Sequence, residues 1–304
     1  MIITFMFGFP SSVMAATTPE LGEAASFGIL SGTYTNTAGG TTINGNLGYT
    51  TGPAVAPTVN GTVYSPPSST YTQAGIDQGA ALANLNAQSC TPIGAIVTLN
   101  AYDVDGAGPL PPGTFPPGCY SSTGAMNITA STTVILSGAG TYIFRPDGAL
   151  NTGADSIVSS IGASACDIFW TPTGATTLGA NSTFVGTDID AAGITIGSTV
   201  TWTGQALAFG GTVSTATDTI NVPTCTTPIV PGPDPTSSPG DSDSSSANSD
   251  STPTVPGLPN AGFGPDNKSG ALWKIITPVL IVIIALSSGY LARNKLGLRS
   301  HGTK

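Results

Sequence analysis

Residues 131–144 read Ser-Thr-Thr-Val-Ile-Leu-Ser-Gly-Ala-Gly-Thr-Tyr-Ile-Phe. Two runs of β-branched and aromatic residues flank a Gly-Ala-Gly turn, the pattern of short strands separated by tight connections. Apolar and polar residues alternate in the first run, so one side of it is buried and the other faces water. Similar runs recur on both sides: Ile43 to Leu47, Ile157-Val158, Ile168-Phe169-Trp170, Thr183-Phe184-Val185, Ile194-Thr195-Ile196, Val200-Thr201-Trp202 and Thr219-Ile220-Asn221-Val222. Gly, Asn and Pro punctuate them at irregular intervals. Such spacing suits a solenoid of imperfect rungs as readily as a sandwich.

The composition narrows the function. Of 304 residues only 8% are charged, against 40 Gly and 25 Pro, and the formal net charge is −9. Before Lys268 the one basic residue is Arg145. Nucleic acid needs clustered Lys and Arg and is excluded as a partner. A Ser-His-Asp triad is excluded too, because the single histidine, His301, lies at the far end of the chain. Asp188 and Asp190 are at strand spacing and share a face, a candidate calcium site or acid–base pair, but no cation accompanies them. Asp103-Val104-Asp105-Gly106 resembles part of a calcium loop without its later ligands and reads as a turn. No enzyme and no cofactor is expected.

Cys90, Cys119, Cys166 and Cys225 form an even set in a chain that reads as exported, which favours two disulfides. Three pairings exist, and sequence order favours Cys90–Cys119 with Cys166–Cys225. Residues 70–88, TYTQAGIDQGAALANLNAQ, differ from the rest. Thr70 and Gln73 make a capping-box pattern, and Ile76, Ala80, Ala83 and Ala87 share a stripe flanked by Leu82 and Leu85. One helix of about 18 residues, about 27 Å long, would run the height of roughly six stacked strands.

The ends organise the chain further. Residues 1–16 read as a signal peptide with small residues at Val13-Met14-Ala15; it lacks a basic n-region, which points to a start further upstream. Residues 17–226 form the β-rich domain and 227–257 a Pro/Ser/Asp linker. Leu258-Pro259-Asn260-Ala261-Gly262 follows, then an apolar membrane-spanning stretch at 271–292 and a basic cytoplasmic tail at 293–304. That order resembles a Gram-positive cell-wall sorting signal of the LPxTG type, with Ala261 where the motif has Thr. It implies export to the cell surface, a membrane helix, and sortase and the cell wall as further partners.

The β-rich part resembles the bacterial and fungal ice-binding family with a discontinuous β-solenoid. The residues that carry the resemblance include residues 21–30 (LGEAASFGIL), Thr42 to Gly48, Leu110-Pro111-Pro112-Gly113, Gly140 to Phe144, residues 162–170 (GASACDIFW), Thr183 to Thr187 and residues 203–208 (TGQALA) before Cys225. The resemblance implies a right-handed parallel β-helix of triangular cross-section, all-β apart from one long α-helix packed alongside, with the first segment inserted late in the stack. It also implies an ice crystal surface as ligand and a T-A/G-x-T/N pattern on a flat face. Thr129-Ala130-Ser131-Thr132 fits that pattern. Thr152-Gly153-Ala154-Asp155 and Thr215-Ala216-Thr217-Asp218 fit except for a final Asp, and Leu178-Gly179-Ala180-Asn181 lacks the first Thr. Thr173 to Thr176 fits by letter but follows Pro172 and reads as a loop. The expected contact residues are therefore Thr129, Thr132, Thr152, Asp155, Asn181, Thr215 and Asp218. Threonine holds a methyl and a hydroxyl in a restricted rotamer, so methyls can leave water free to order while hydroxyls anchor it. Charge at Asp155 and Asp218 would weaken such a face or move the binding surface elsewhere. The alternative ligand for a neutral β face is a glycan, recognised by a surface adhesin.

Overall fold

The computed structural model describes residues 15–106 and 108–225. The linker, the Leu258–Gly262 motif, the apolar stretch 271–292, the basic tail and most of the leader lie outside the described residues. Within them, successive short strands pair in parallel with the strand one turn of the coil away, which settles the sandwich-or-solenoid alternative as a solenoid. Each turn contributes a strand to three stacks, so the coil has three faces.

The first stack runs through Val97–Thr98, Met126–Ile128, Leu150–Thr152, Thr176–Leu178, Ile194–Ile196 and residues 213–215. The second runs through Thr114–Phe115, Thr133–Ser137, Ile157–Ile161, the starts of Thr183–Ile189 and Thr201–Thr215, Thr219–Asn221, Thr42–Asn44 and Thr58–Val59. The third runs through Thr91–Gly94, Gly118–Ser122, Tyr142–Pro146, Ile168–Trp170, the end of Thr183–Ile189 and the middle of Thr201–Thr215. Chain order and stack order part company at the N-terminus. Strand Phe27–Asn36 pairs with Thr201–Thr215 on one side and Asn46–Gly48 on the other, so the first strand sits beyond the last long one. This is the late insertion that the resemblance implies.

Strands Thr183–Ile189 and Thr201–Thr215 cross from the second face to the third without interruption. The bend falls at Gly186 and Gly204, which are in register and both have positive φ. A Cβ on Gly204 would run into the Gly186 carbonyl oxygen of the next rung, so no other residue fits there. The indoles of Trp170 and Trp202 donate to the Val185 and Gly186 carbonyls at this bend, 2.9 and 2.8 Å. Both rings are fully buried. They belong to a column of interior rings, Tyr120–Phe144–Trp170–Phe184–Trp202, with centroids 4.4–5.5 Å apart, close to the strand repeat that sets their spacing.

The helix spans Ser69–Ala87 and covers the third face. Its 19 residues give about 28 Å, the height the sequence leads one to expect. Two details differ from expectation. Ser68, not Thr70, caps the helix, accepting from the Tyr71 N–H. The buried stripe is Tyr71, Ala74, Gln78, Ala81 and Leu85, while Ile76 is 59% exposed and Ala80, Ala83 and Ala87 face out. The wall under the helix is already bulky, with Phe27, Leu30, Ile143, Phe169, Ile189 and Leu207 pointing outward, and the alanines Ala74 and Ala81 let the helix lie close to it between the larger Tyr71 and Leu85. Its two polar members have partners: the Tyr71 hydroxyl donates to the Ser31 carbonyl at 2.8 Å and Gln78 accepts from the Phe209 N–H at 3.1 Å. The Arg145 guanidinium donates to the carbonyls of Leu85, Asn86 and Gln88 and caps the helix C-terminus.

The disulfides are Cys90–Cys119 and Cys166–Cys225, as sequence order favours. The first fastens the chain after the helix to the helix-covered face. The second fastens the end of the described domain to the body.

Candidate functional site

With the third face covered, two sheet faces remain open, and the corner between them explains where each expected contact residue goes. Once per rung, a residue at this corner takes the left-handed conformation: Ser131, Asp155, Asn181, Thr199 and Thr217, at φ 56–64°. These corners stack, because Ser131, Asp155, Asn181 and Thr199 each donate their N–H to the carbonyl of the next rung's corner. The four-residue pattern read from the sequence therefore marks a corner, and its letters do not keep a constant phase. In Thr129–Thr132 the third residue is left-handed; in residues 152–155 it is the fourth.

The phase slip decides exposure. Thr152 is in register with Ile128, takes the inward position and is buried; its hydroxyl accepts from the Gly179 N–H at 3.0 Å. Thr215 is likewise interior, hydrogen-bonded to the Tyr34 hydroxyl and to Asn36. Asp218 follows the left-handed residue, the place Ser182 and Val200 fill in other rungs, and is fully buried. Its carboxylate accepts from the N–H groups of Ala216 (2.7 Å) and Val200 (2.9 Å). Burial pushes this carboxyl up to about 6, and those two N–H donors oppose the shift. These three residues cannot meet a flat ligand, and the charge of Asp218 does not mark an open face. Thr129, Asp155 and Asn181 are exposed and Thr132 is half-buried, so this remnant lines the ridge between the two open faces. Thr129 and Thr132 bond to each other, and Asn181 accepts from the Thr199 hydroxyl at 2.7 Å.

Beside that ridge lies a feature the four-residue pattern misses. On the second face, Thr133, Ile157, Thr183, Thr201, Thr219, Thr42 and Thr58 occupy the same outward position on seven consecutive rungs. Six of the seven are threonine. Thr58, Thr133, Thr183 and Thr201 are exposed, and Ile157 is 41% exposed. The row spans about 29 Å at the inter-strand repeat. The inward residues behind it, among them Val134, Val158, Phe184, Trp202, Ile220 and Ile43, are buried and hold it from below. Two residues along each strand, a second row runs through Ile135, Ser159, Val185, Thr203, Asn221, Asn44 and Asn60, of which Val185 is buried. Its amides are locked together: Asn60 donates to Asn44 at 2.7 Å and Asn44 to Asn221 at 2.6 Å. No charged residue stands in either row. A sequence signal for the site does exist. It is the strand triplet Thr-apolar-x in Thr42-Ile43-Asn44, Thr58-Val59-Asn60, Thr133-Val134-Ile135, Thr183-Phe184-Val185, Thr201-Trp202-Thr203 and Thr219-Ile220-Asn221.

The first face is also uncharged. Its middle row is Thr98, Asn127, Asn151, Thr177, Thr195, Ser214 and Thr35. Several of these side chains satisfy each other, Asn151 on Asn127 at 3.0 Å and Thr35 on Ser214 at 2.7 Å. Its strands at Met126–Ile128, Leu150–Thr152 and Ile194–Ile196 are three residues long and offer one outward strand residue each.

The remaining chemical candidates are accounted for. Asp188 and Asp190 are fully buried, so no polysaccharide can reach them. The Asp103 and Asp105 carboxylates accept from the N–H groups of Gly106 and Leu110, which is turn chemistry. Among the described residues no group of three or more His, Cys, Asp or Glu is placed to hold a metal.

Comparison with known proteins agrees with the fold. Residues 29–221 match the model of a family described as Ice-binding-like. An ice-binding protein of Nostoc sp. (strain HG1) is 27% identical over 243 residues, 74% of this chain and 84% of its own length. One of Flavobacterium frigoris (strain PS1) is 36% identical over 104 residues, covering 34% of this chain and 38% of that protein. The crystal structure of an ice-binding protein from the Antarctic ascomycete Antarctomyces psychrotrophicus has a TM-score of 0.61 at 28% identity. It covers 69% of this chain and 100% of that one.

Proposed function

Because the chain belongs to the ice-binding-like family, we propose that it binds ice, and that it does so through the second face, with the seven-rung row from Thr133 to Thr58 at its centre. The observation that carries the reading is this row of in-register threonines, backed by a buried aromatic and aliphatic row and itself free of charge, with an exposed carboxylate, Asp155, confined to the ridge at its edge. β-Branched side chains keep one orientation, so methyls and hydroxyls repeat at the strand spacing as a fixed array. Methyls leave first-layer water free to settle into a lattice, and hydroxyls hold that layer in place. Rigidity matters because water ordered in advance lowers the entropic cost of joining a crystal. The activity is adsorption, without covalent chemistry or a cofactor. The ridge residues Thr129, Thr132, Asp155 and Asn181 border the face and meet only its edge.

The order of linker, LPxTG-like motif, apolar stretch and basic tail supports a further element of the reading: the domain is carried outside the cell on a tether, which suits adhesion to ice or protection of the cell surface. Mass spectrometry of the mature C-terminus tests it. A chain ending at Ala261 means sortase processing, and a chain ending at Lys304 means a membrane anchor only.

Ice binding itself is tested with the wild-type protein in thermal-hysteresis and ice-recrystallisation assays. Shaped crystals and suppressed recrystallisation are expected. Unaltered ice at high protein concentration refutes the reading and leaves a glycan-binding adhesin as the remaining account of the neutral face.

A further inference from the structure

Asp188 and Asp190 alternate along the chain at the point where strand Thr183–Ile189 ends, and both turn into the coil, where neither has exposed surface. Asp188 lies between Trp170 and Ala206, its in-register neighbours on the adjacent rungs. Neither of its carboxyl oxygens has a hydrogen-bond partner among the described residues. Asp190 is the opposite case. Its carboxylate accepts from the N–H groups of Thr176 (2.7 Å), Ala192 (2.7 Å) and Gly193 (3.3 Å). The Thr176 hydroxyl is itself buried and lies beside both carboxyls, where it opposes the effect of burial on each, but neither contact has the geometry of a full hydrogen bond.

Two carboxylates cannot both stay ionised in such surroundings without a counter-charge. The one basic side chain among the described residues, Arg145, is committed to the helix carbonyls. Neutralisation must come from a bound cation or from a proton. Three N–H groups aimed at Asp190 disfavour a cation there and favour a carboxylate, which leaves Asp188 as the group to be neutralised.

We propose that Asp188 is a buried carboxylic acid carrying the one proton of the Asp188–Asp190 pair, and that this pair makes the solenoid more stable in acid than at alkaline pH. Burial first and the neighbouring Asp190 second push the Asp188 carboxyl well above its ordinary range; burial raises Asp190 too, against its three N–H donors. The elements packed around Asp188 bring Trp170, Ala206 and Thr176 to it, so the one titratable group acting on it is Asp190. A carboxyl raised in the folded state stabilises the fold fully below the unfolded value of about 3.9. That contribution is lost as pH rises from there through the folded value. Asp218, pushed up to about 6 by burial, acts in the same direction, so the share that Asp188 carries is read from a variant that lacks its carboxyl. This inference does not depend on what the outer face binds.

The test is thermal unfolding of the full chain against pH, for wild type and Asp188→Asn, with calcium and with chelator. The wild-type midpoint is expected to fall by about 5 °C or more between about pH 4 and about pH 8. Asp188→Asn is expected to show a clearly smaller fall over the same range and to be the more stable protein at about pH 8. Equal slopes in the two proteins overturn the proposal, and so does a calcium-dependent rise in the wild-type midpoint, which would make the pair a cation site. If Asp188→Asn does not fold, infrared spectroscopy of the wild type at about pH 8 decides: a protonated-carboxyl band supports the proposal, and its absence overturns it.

Discussion

Replacing Thr201 with Tyr is the sharpest probe of the threonine row. Thr201 is fourth of the seven rungs and exposed, with Trp202 beneath it buried. A tyrosine here points outward, suits a strand and changes stability by no more than about 0.5 kcal/mol. Its ring reaches about 4 Å beyond the threonine methyl. Ice and the solenoid face are both stiff, so the crystal is lifted off the neighbouring rungs too, which lie about 4.8 and about 9.6 Å away on each side. A gap of 0.5–1 Å already forfeits a quarter to a half of a van der Waals contact, so about 4 Å forfeits nearly all of it. Losing even two rung contacts worth about 1 kcal/mol each lowers adsorption more than tenfold, since about 1.4 kcal/mol is one factor of ten. Thermal hysteresis at equal concentration should therefore drop at least tenfold, with an unchanged melting midpoint. Thr177→Tyr, exposed on the first face, is the matched control and should keep at least half of the activity. If Thr201→Tyr remains active and Thr177→Tyr is dead, the binding surface is the first face and the assignment made from the threonine row is wrong.

Two further outcomes test what holds the face flat. Trp202→Ala opens a cavity behind Thr201 and strands the Gly186 carbonyl; denaturant unfolding should record a loss of about 3–5 kcal/mol, with ice activity falling further than for a surface change of similar size. Replacing Cys166 and Cys225 together by serine frees a loop of sequence separation 59, which chain entropy values at about 4 kcal/mol; the denaturation midpoint should fall to match, and an unchanged midpoint would mean that the unfolded chain is already confined there.

The solenoid was legible because its signals are local. Alternation in Thr133 to Leu136, glycine turns and the lone helical segment each reflect backbone preference over a few residues, and the order of pieces from Leu21 to Cys225 carried the rest. The helix face was misjudged for an equally physical reason. Its buried stripe includes Gln78, whose amide is satisfied by Phe209 far along the chain, and its exposed side carries Ile76, so hydrophobic periodicity pointed the wrong way. The site suffered from letters read without phase. Thr152 and Thr129 belong to the same four-residue pattern on paper, yet Thr152 takes the inward place of Ile128, and Asp218, which looked like charge on a binding face, is a buried cap for Ala216 and Val200.

Sequence alone determined that the β-rich domain makes short, neutral, threonine-bearing strands and one long helix among its described residues, because those follow from steric and solvation preferences of neighbouring residues. Only the tertiary structure decided which threonines stand side by side. Row membership depends on the register between strands whose separation in sequence varies from rung to rung, 24 residues from Thr133 to Ile157, 26 from Ile157 to Thr183 and 18 from Thr183 to Thr201. Irregular corner and loop lengths absorb those differences, and the buried rows of the interior, packed ring on ring, lock the strands into line.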